Sequence, residues 1–213
     1  MNYIANQVGT PYVRVRHISI TYDQPNTASI ACIESEAVLL NNGRIVIIRD
    51  LPPRLAFDLA PADFAHSIQL VDPDIGADIP GATMTVQALM LGCLGIVRSK
   101  QPPDSFVANV MGQPYIRVPQ IAISYDQPLQ AYVRCKQVEA VLLADNSVYA
   151  IGQMPMLEFA IAAADFPRPF PLYHPDTGLA IGQTMTTQQV MLGMLGLIRE
   201  KQNDLDAAQE PVQ

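Results

Sequence analysis

The chain has 213 residues with 13 Lys and Arg against 20 Asp and Glu, a net charge of −7. That balance argues against nucleic-acid binding through a diffuse basic surface, and no Lys/Arg cluster offsets it. Half the residues are apolar, enough for two cores of ordinary domain size, but no apolar run approaches the roughly 18 residues of a membrane span.

The same sequence is written twice. Gly9-Thr-Pro-Tyr-Val-Arg-Val15 returns as Gly112-Gln-Pro-Tyr-Ile-Arg-Val118, and Tyr22-Asp-Gln-Pro25 as Tyr125-Asp-Gln-Pro128, at an offset of 103. One deletion takes the offset to 102 at Ala62-Asp-Phe64 and Ala164-Asp-Phe166, and a second takes it to 101 at Thr83-Met-Thr85 and Thr184-Met-Thr186. Roughly 46 of about 99 aligned pairs are identical. So long a period indicates a duplicated domain, since solenoid units run about 20–50 residues. The expected organisation is a first repeat over 1–101, a linker at 102–104, a second repeat over 105–202 and an exposed, partly disordered tail at 203–213. The linker, Gln101-Pro-Pro-Asp104, is short and stiff, which predicts one fixed pose of the two domains.

Each copy opens on a strand with a kink. Val13 and Val15 share one parity, whereas Ile18, Ile20 and Tyr22 share the other; Ile116 and Val118, then Ile121, Ile123 and Tyr125, repeat the switch. The strand period is two, so a switch needs an extra residue, and Pro119 stands at it. This predicts a β-bulge or a crossing between sheets. A second strand runs from Ala28 to Leu40 and from Ala131 to Leu143. Asn41-Asn42-Gly43 then signals a hairpin into Ile45–Ile48, with Ala144-Asp145-Asn146 in its place in the second copy. Alternation at Leu55, Phe57 and Leu59, matched by Leu157, Phe159 and Ile161, marks another strand, and a short one follows at Ile68–Val71 before a Pro-Asp-x-Gly turn. Each copy ends in a helix. Thr85 and Thr186 are N-caps, Thr186-x-x-Gln189 fits a capping box, and Val86, Leu89, Met90, Cys93, Leu94 and Val97 follow helical spacing. Arg98 and Lys100, like Arg199 and Lys201, suit the negative pole of a helix end. Gly92, Gly95, Gly193 and Gly196 cost about 1 kcal/mol each against alanine in a helix, which predicts close backbone approach to a sheet or another helix. The fold class is therefore mainly β with α: two tandem homologous domains, each an antiparallel sandwich or barrel-like sheet closed by one C-terminal helix.

Candidate chemistry is sparse. Asp23 and Asp126 sit beside Tyr22 and Tyr125, but an Asx-type turn before proline with the tyrosine in the core explains the motif more simply than proton transfer. Asp72, Asp74 and Asp78 alternate as in calcium loops, yet the second copy reads His174-Pro-Asp176-Thr-Gly178 and the EF-hand glutamate is missing, so turn chemistry suffices. His17, His66 and His174 do not recur at equivalent positions and form no metal-spaced cluster. Arg14 and Arg117 recur and are expected to pair with Glu36 and Glu139 on neighbouring strands. Asp63 and Asp165 read as turn or capping residues. Cys32 and Cys135 are equivalents and Cys93 faces Met194 in the alignment, so the thiols read as core packing, with no disulfide framework. No cofactor or metal is expected, and no catalytic set emerges.

What the copies have not kept is equally informative. Ser29, Ala31 and Ile33 stand opposite Tyr132, Arg134 and Lys136 at alternating positions, hence on one strand face. These six and the four helix glycines are the candidate interface residues. The closing Thr-Met-Thr…Met-Leu-Gly-x-Leu-Gly pattern at 83–95 and 184–196, the Asn-Gly hairpin and the Gln/Asn/Pro-rich, lysine-poor composition resemble small virion proteins of tailed bacteriophages. That resemblance implies a tail, baseplate or head-decoration part assembled in host cytoplasm, a homo-oligomer also contacting other structural proteins, without nucleic-acid or membrane partners. The alternatives are a cytoplasmic binding module with a peptide or glycan groove between the repeats, or an enzyme with one site at their junction.

Overall fold

The computed structural model describes residues 9, 11–24, 27–52, 55–72, 77–101, 112, 114–127, 129–144, 147–173 and 180–209. The first series of elements is β1 (Pro11–Gln24), β2 (Thr27–Leu39), β3 (Ile45–Asp50), β4 (Leu55–Leu59), a 3₁₀ turn at Pro61–Ala65, β5 (Ser67–Val71), β6 (Asp78–Thr85) and α1 (Val86–Arg98). The second is β7 (Pro114–Gln127), β8 (Gln130–Leu142), β9 (Val148–Gln153), β10 (Leu157–Ile161), a 3₁₀ turn at Ala163–Asp165, β11 (Pro169–Tyr173), β12 (Ala180–Thr186) and α2 (Thr187–Gln209). Eight strands form one curled antiparallel sheet, ordered β10-β8-β7-β1-β2-β3. The outer edge of β2 is shared: β4 takes residues 28–32 and β3 takes residues 35–39. β10 and β9 divide β8 in the same way.

The parity switches are β-bulges. Register shifts fall between Val15 and His17 on β1 and between Arg117 and Gln120 on β7. Past the bulge, Ile18, Ile20, Ile121 and Ile123 are buried on the inner sheet face. The Asn-Gly hairpin closes with Gly43 N–H donating to Leu40 O (2.9 Å) and Leu40 N–H to Arg44 O (2.9 Å), with Gly43 at φ +77°. That is a three-residue loop with glycine in the left-handed position.

β1 and β7 join the two series. His17 pairs Ser124, Ser19 pairs Ala122 and Thr21 pairs Gln120. Thr21 and Ser124 are repeat equivalents, as are His17 and Gln120, so exchanging the copies maps the pairing onto itself. The sheet therefore has a local two-fold at Ser19·Ala122.

One core cluster, drawn from both copies, lies between this sheet, the β5–β6 and β11–β12 hairpins and the two helices. The helices cross over: α1 packs on β11 and α2 packs on β5. Each helix ends its own copy in sequence but lies against the hairpin of the other. α2 also runs further than the expected boundary. Asn203, Asp204 and Ala207 are exposed, yet the helix continues to Gln209, because no Gly or Pro interrupts it before Pro211. α1 stops where Pro102 and Pro103 follow. β6 and β12 were not expected as strands. Each carries a glycine (Gly81, φ +71°; Gly182, φ +74°) that breaks the alternation a strand reading depends on.

Candidate interaction surfaces

The six divergent strand residues lie on the outer face of the sheet, opposite the core. In the first copy Ser29 is opposite Asp58 on β4 and Ala31 is opposite Ala56. Ser29 Oγ donates to Asp58 Oδ1 at 2.6 Å. Here a shallow groove of about 230 Å³ is lined by Ser19, Thr21, Ser29, Ala31, Ala56 and Asp58. In the second copy the same register puts Tyr132 opposite Ala160 and Arg134 opposite Glu158. Tyr132 Oη donates to Glu158 Oε2 (2.6 Å), Arg134 Nε lies 3.3 Å from Glu158 Oε1, and the guanidinium stands 5.4 Å from the Tyr132 ring centre. Large braced side chains thus stand where the first copy is hollow. Ile33 is half-buried beside His17, and its equivalent Lys136 is exposed. Along the centre of this face, His17 Nδ1 and Ser124 Oγ are hydrogen-bonded at 3.0 Å and Gln120 Nε2 donates to Ser19 Oγ at 3.2 Å.

The four helix glycines are buried inside the chain, at the contact between copies. A Cβ on Gly92 would lie 2.5 Å from Met185 Sδ and 2.6 Å from Val190 Cγ2; one on Gly95 would lie 2.6 Å from the Phe170 ring. A Cβ on Gly193 would meet Met84 Sδ at 3.0 Å, and one on Gly196 would overlap the Gln69 carbonyl. The glycines therefore let each helix approach the other copy's hairpin. The basic residues of the helices reach the same way. Arg98 stands 5.6 Å from the Tyr173 ring, and burial pulls its pKa down to about 10. Arg199, in mid-helix rather than at a helix end, pairs with Asp78 at 2.7 Å, and Glu200 with His66 at 2.9 Å.

Arg14 and Arg117 form a reciprocal clamp. Arg14 Nε donates to Tyr125 O (3.3 Å) and Arg117 Nη2 to Tyr22 O (3.2 Å). The expected pairing with Glu36 and Glu139 fails on register: Val13 and Ile116 stand opposite those glutamates, so the arginines face the other side of the sheet. Glu36 is instead paired with Arg49 at 2.7 Å. Tyr125 is buried and Tyr22 packs against the core, its hydroxyl donating to Met90 O at 3.3 Å, as a core reading requires. The side chains of Asp23 and Asp126 lie outside the described residues, as do residues 73–76 and His174. Asp63 caps its 3₁₀ turn by accepting from Ala60 N–H at 2.8 Å.

One polar cluster belongs to the first copy alone. Asp50 accepts from Ser35 Oγ at 2.6 Å and pairs with Arg16 at 2.8 Å. The Ser35 hydrogen bond, then Arg16, holds its carboxyl below the usual range. Val138, Gln153 and Pro119 replace these residues in the second copy. Cys32, Cys93 and Cys135 are buried and unpaired, and burial pushes their thiols up to about 12, 12 and 11.

Two surfaces went unrecognised from sequence. β3 exposes Val46 (42 %) and Ile48 (52 %), and their equivalents on β9, Tyr149 (64 %) and Ile151 (48 %), are equally exposed. Among the described residues β3 pairs only β2 and β9 only β8, so both are sheet edges. The signal was present: Ile45–Ile48 is apolar at both parities, more than one buried face uses. A cavity of about 250 Å³ also lies where the copies meet, lined by Ser99 and Lys100 from one and Asp165, Arg168 and Thr187 from the other.

Among the described residues no group of His, Cys, Asp or Glu is arranged to hold a metal, and no helix is long and apolar enough to cross a membrane. No family model, curated protein or solved structure matches the chain.

Proposed function

We propose that this chain is a structural, assembly-forming subunit: a duplicated domain whose two copies occupy quasi-equivalent positions in an oligomer. The observation that carries this reading is the paired exposure of Val46 and Ile48 with Tyr149 and Ile151 on two sheet edges. Apolar edge strands are a hazard that proteins usually blunt with charge, proline or a cover. Keeping the hazard at equivalent places in both copies is accounted for when those edges are contacts with other copies of the chain. The crossed helices and the β1·β7 junction support the duplication, since they make one chain resemble a closed two-fold dimer. No catalysis is assigned to the chain in this reading. The resemblance of the repeat pattern and composition to small virion proteins of tailed bacteriophages supports extending the proposal to a part of a phage tail, baseplate or head.

The test is Ile48→Glu combined with Ile151→Glu, both on exposed positions, followed by light scattering after size exclusion. A fall in mass with an unchanged melting temperature is expected; the wild-type mass in the double variant would remove the edges from the assembly. The junction cavity favours a second reading, a binding module. At about 250 Å³ it is below the roughly 300–1,000 Å³ typical of ligand pockets, which ranks that reading second.

A further inference from the structure

We infer that the outer sheet face is a self-complementary contact with a second copy of this chain, in which the Tyr132–Arg134 ridge of each molecule seats in the Ser29–Ala31 groove of the other. The inference rests on the assembly reading above and names one of its contacts. The groove and the ridge occupy equivalent strand positions in the two copies, at the same register, on one continuous sheet. The first copy removes bulk at three of them, with Ser29, Ala31 and Ala56, leaving about 230 Å³ open. The second adds Tyr132, Arg134 and Glu158, which brace one another through contacts of 2.6 Å and 3.3 Å. A braced ridge loses little freedom on docking, which favours affinity. Charge agrees with shape: the groove carries the exposed carboxylate of Asp58, and the ridge side, where Arg134 is already matched by Glu158, carries the exposed amine of Lys136.

The partner follows from symmetry. A two-fold axis lying between two stacked outer faces sets the first copy of each molecule on the second copy of the other, so ridge meets groove twice. The other stacking sets ridge on ridge and leaves both grooves empty. Because both halves of the fit are on one chain, a second copy is the occupant that satisfies both at once. This also explains why strands otherwise held in common diverge on this face.

Complementation tests it. An all-groove variant carries Tyr132→Ser, Arg134→Ala and Glu158→Ala; an all-ridge variant carries Ser29→Tyr, Ala31→Arg and Ala56→Glu. These positions lie on the outer face away from the core, and melting curves check that both variants fold. Light scattering at tens of micromolar should show each variant alone at about half the wild-type mass, and a 1:1 mixture back at the wild-type mass. If the wild type is oligomeric and both variants keep its mass, or if the mixture fails to recover it, this contact is wrong while the assembly reading stands. A monomeric wild type overturns both.

Discussion

Gly193 and Gly196 sit one helical turn apart on α2 and face different neighbours. At Gly193 a methyl group would press on Met84 Sδ (3.0 Å) and Leu89 Cδ1 (3.1 Å), the ends of flexible side chains. At Gly196 it would overlap the Gln69 carbonyl, which is backbone. Alanine gains about 1 kcal/mol of helix propensity at either position. We predict that Gly193→Ala is near neutral, whereas Gly196→Ala loses about 1–3 kcal/mol through overpacking. Differential scanning calorimetry checks this, at about 2–4 °C per kcal/mol for a chain of this size. Equal melting temperatures for the two variants would show that helix and hairpin can separate freely. The need for close approach was legible in the sequence, because both copies keep both glycines against their helical cost. What they approach was not: spacing along a helix says nothing of which copy lies opposite. Arg14 and Arg117 show the same limit. Their recurrence was visible, but their partners, Tyr125 O and Tyr22 O, depend on strand register across the two copies.

Strands and helices were legible wherever one face is buried and the other is not. The parity switch at Arg16 and Pro119 located both bulges, and the cap at Thr186 located the start of α2. Thr186 N–H donates to Gln189 Oε1 (2.9 Å) and Gln189 N–H to Thr186 Oγ1 (3.2 Å), a complete capping box. Thr85 makes only the bond from Ala88 N–H (3.1 Å), since Ala88 has no side-chain acceptor to return it. Replacing an N-cap threonine by alanine costs about 0.5–2 kcal/mol, so Thr186→Ala and Thr85→Ala should each lower the melting temperature by a few degrees, and Gln189→Ala, which removes the return bond from the Thr186 N–H, should lower it too. An unchanged melting temperature for Gln189→Ala, by calorimetry, would show that the return bond contributes nothing. β6 and β12 escaped sequence reading because they are half-exposed and broken by Gly81 and Gly182; their burial comes from the helices they support, not from their own alternation. The last turns of α2 escaped for a related reason, being helical without an apolar stripe.

The whole molecule is more closely joined than two domains on a linker. β1 and β7 continue one sheet through a local two-fold, the helices cross between copies, and a single core cluster spans both. Internal pairing has consumed the strand edge at β1 and β7, and has left apolar edges at β3 and β9 and a two-part outer face. The repeat is readable in the sequence; the crossed packing is not, because residues that face their own copy and residues that face the other are alike between the repeats. These leftover surfaces are expected to be contacts with further copies of the chain. Native mass spectrometry of the unmodified chain addresses that most directly. A single discrete multiple of 23.3 kDa, at least two chains, is the result expected. A clean 23.3 kDa species that persists at tens of micromolar, with no larger form, would contradict the assembly role.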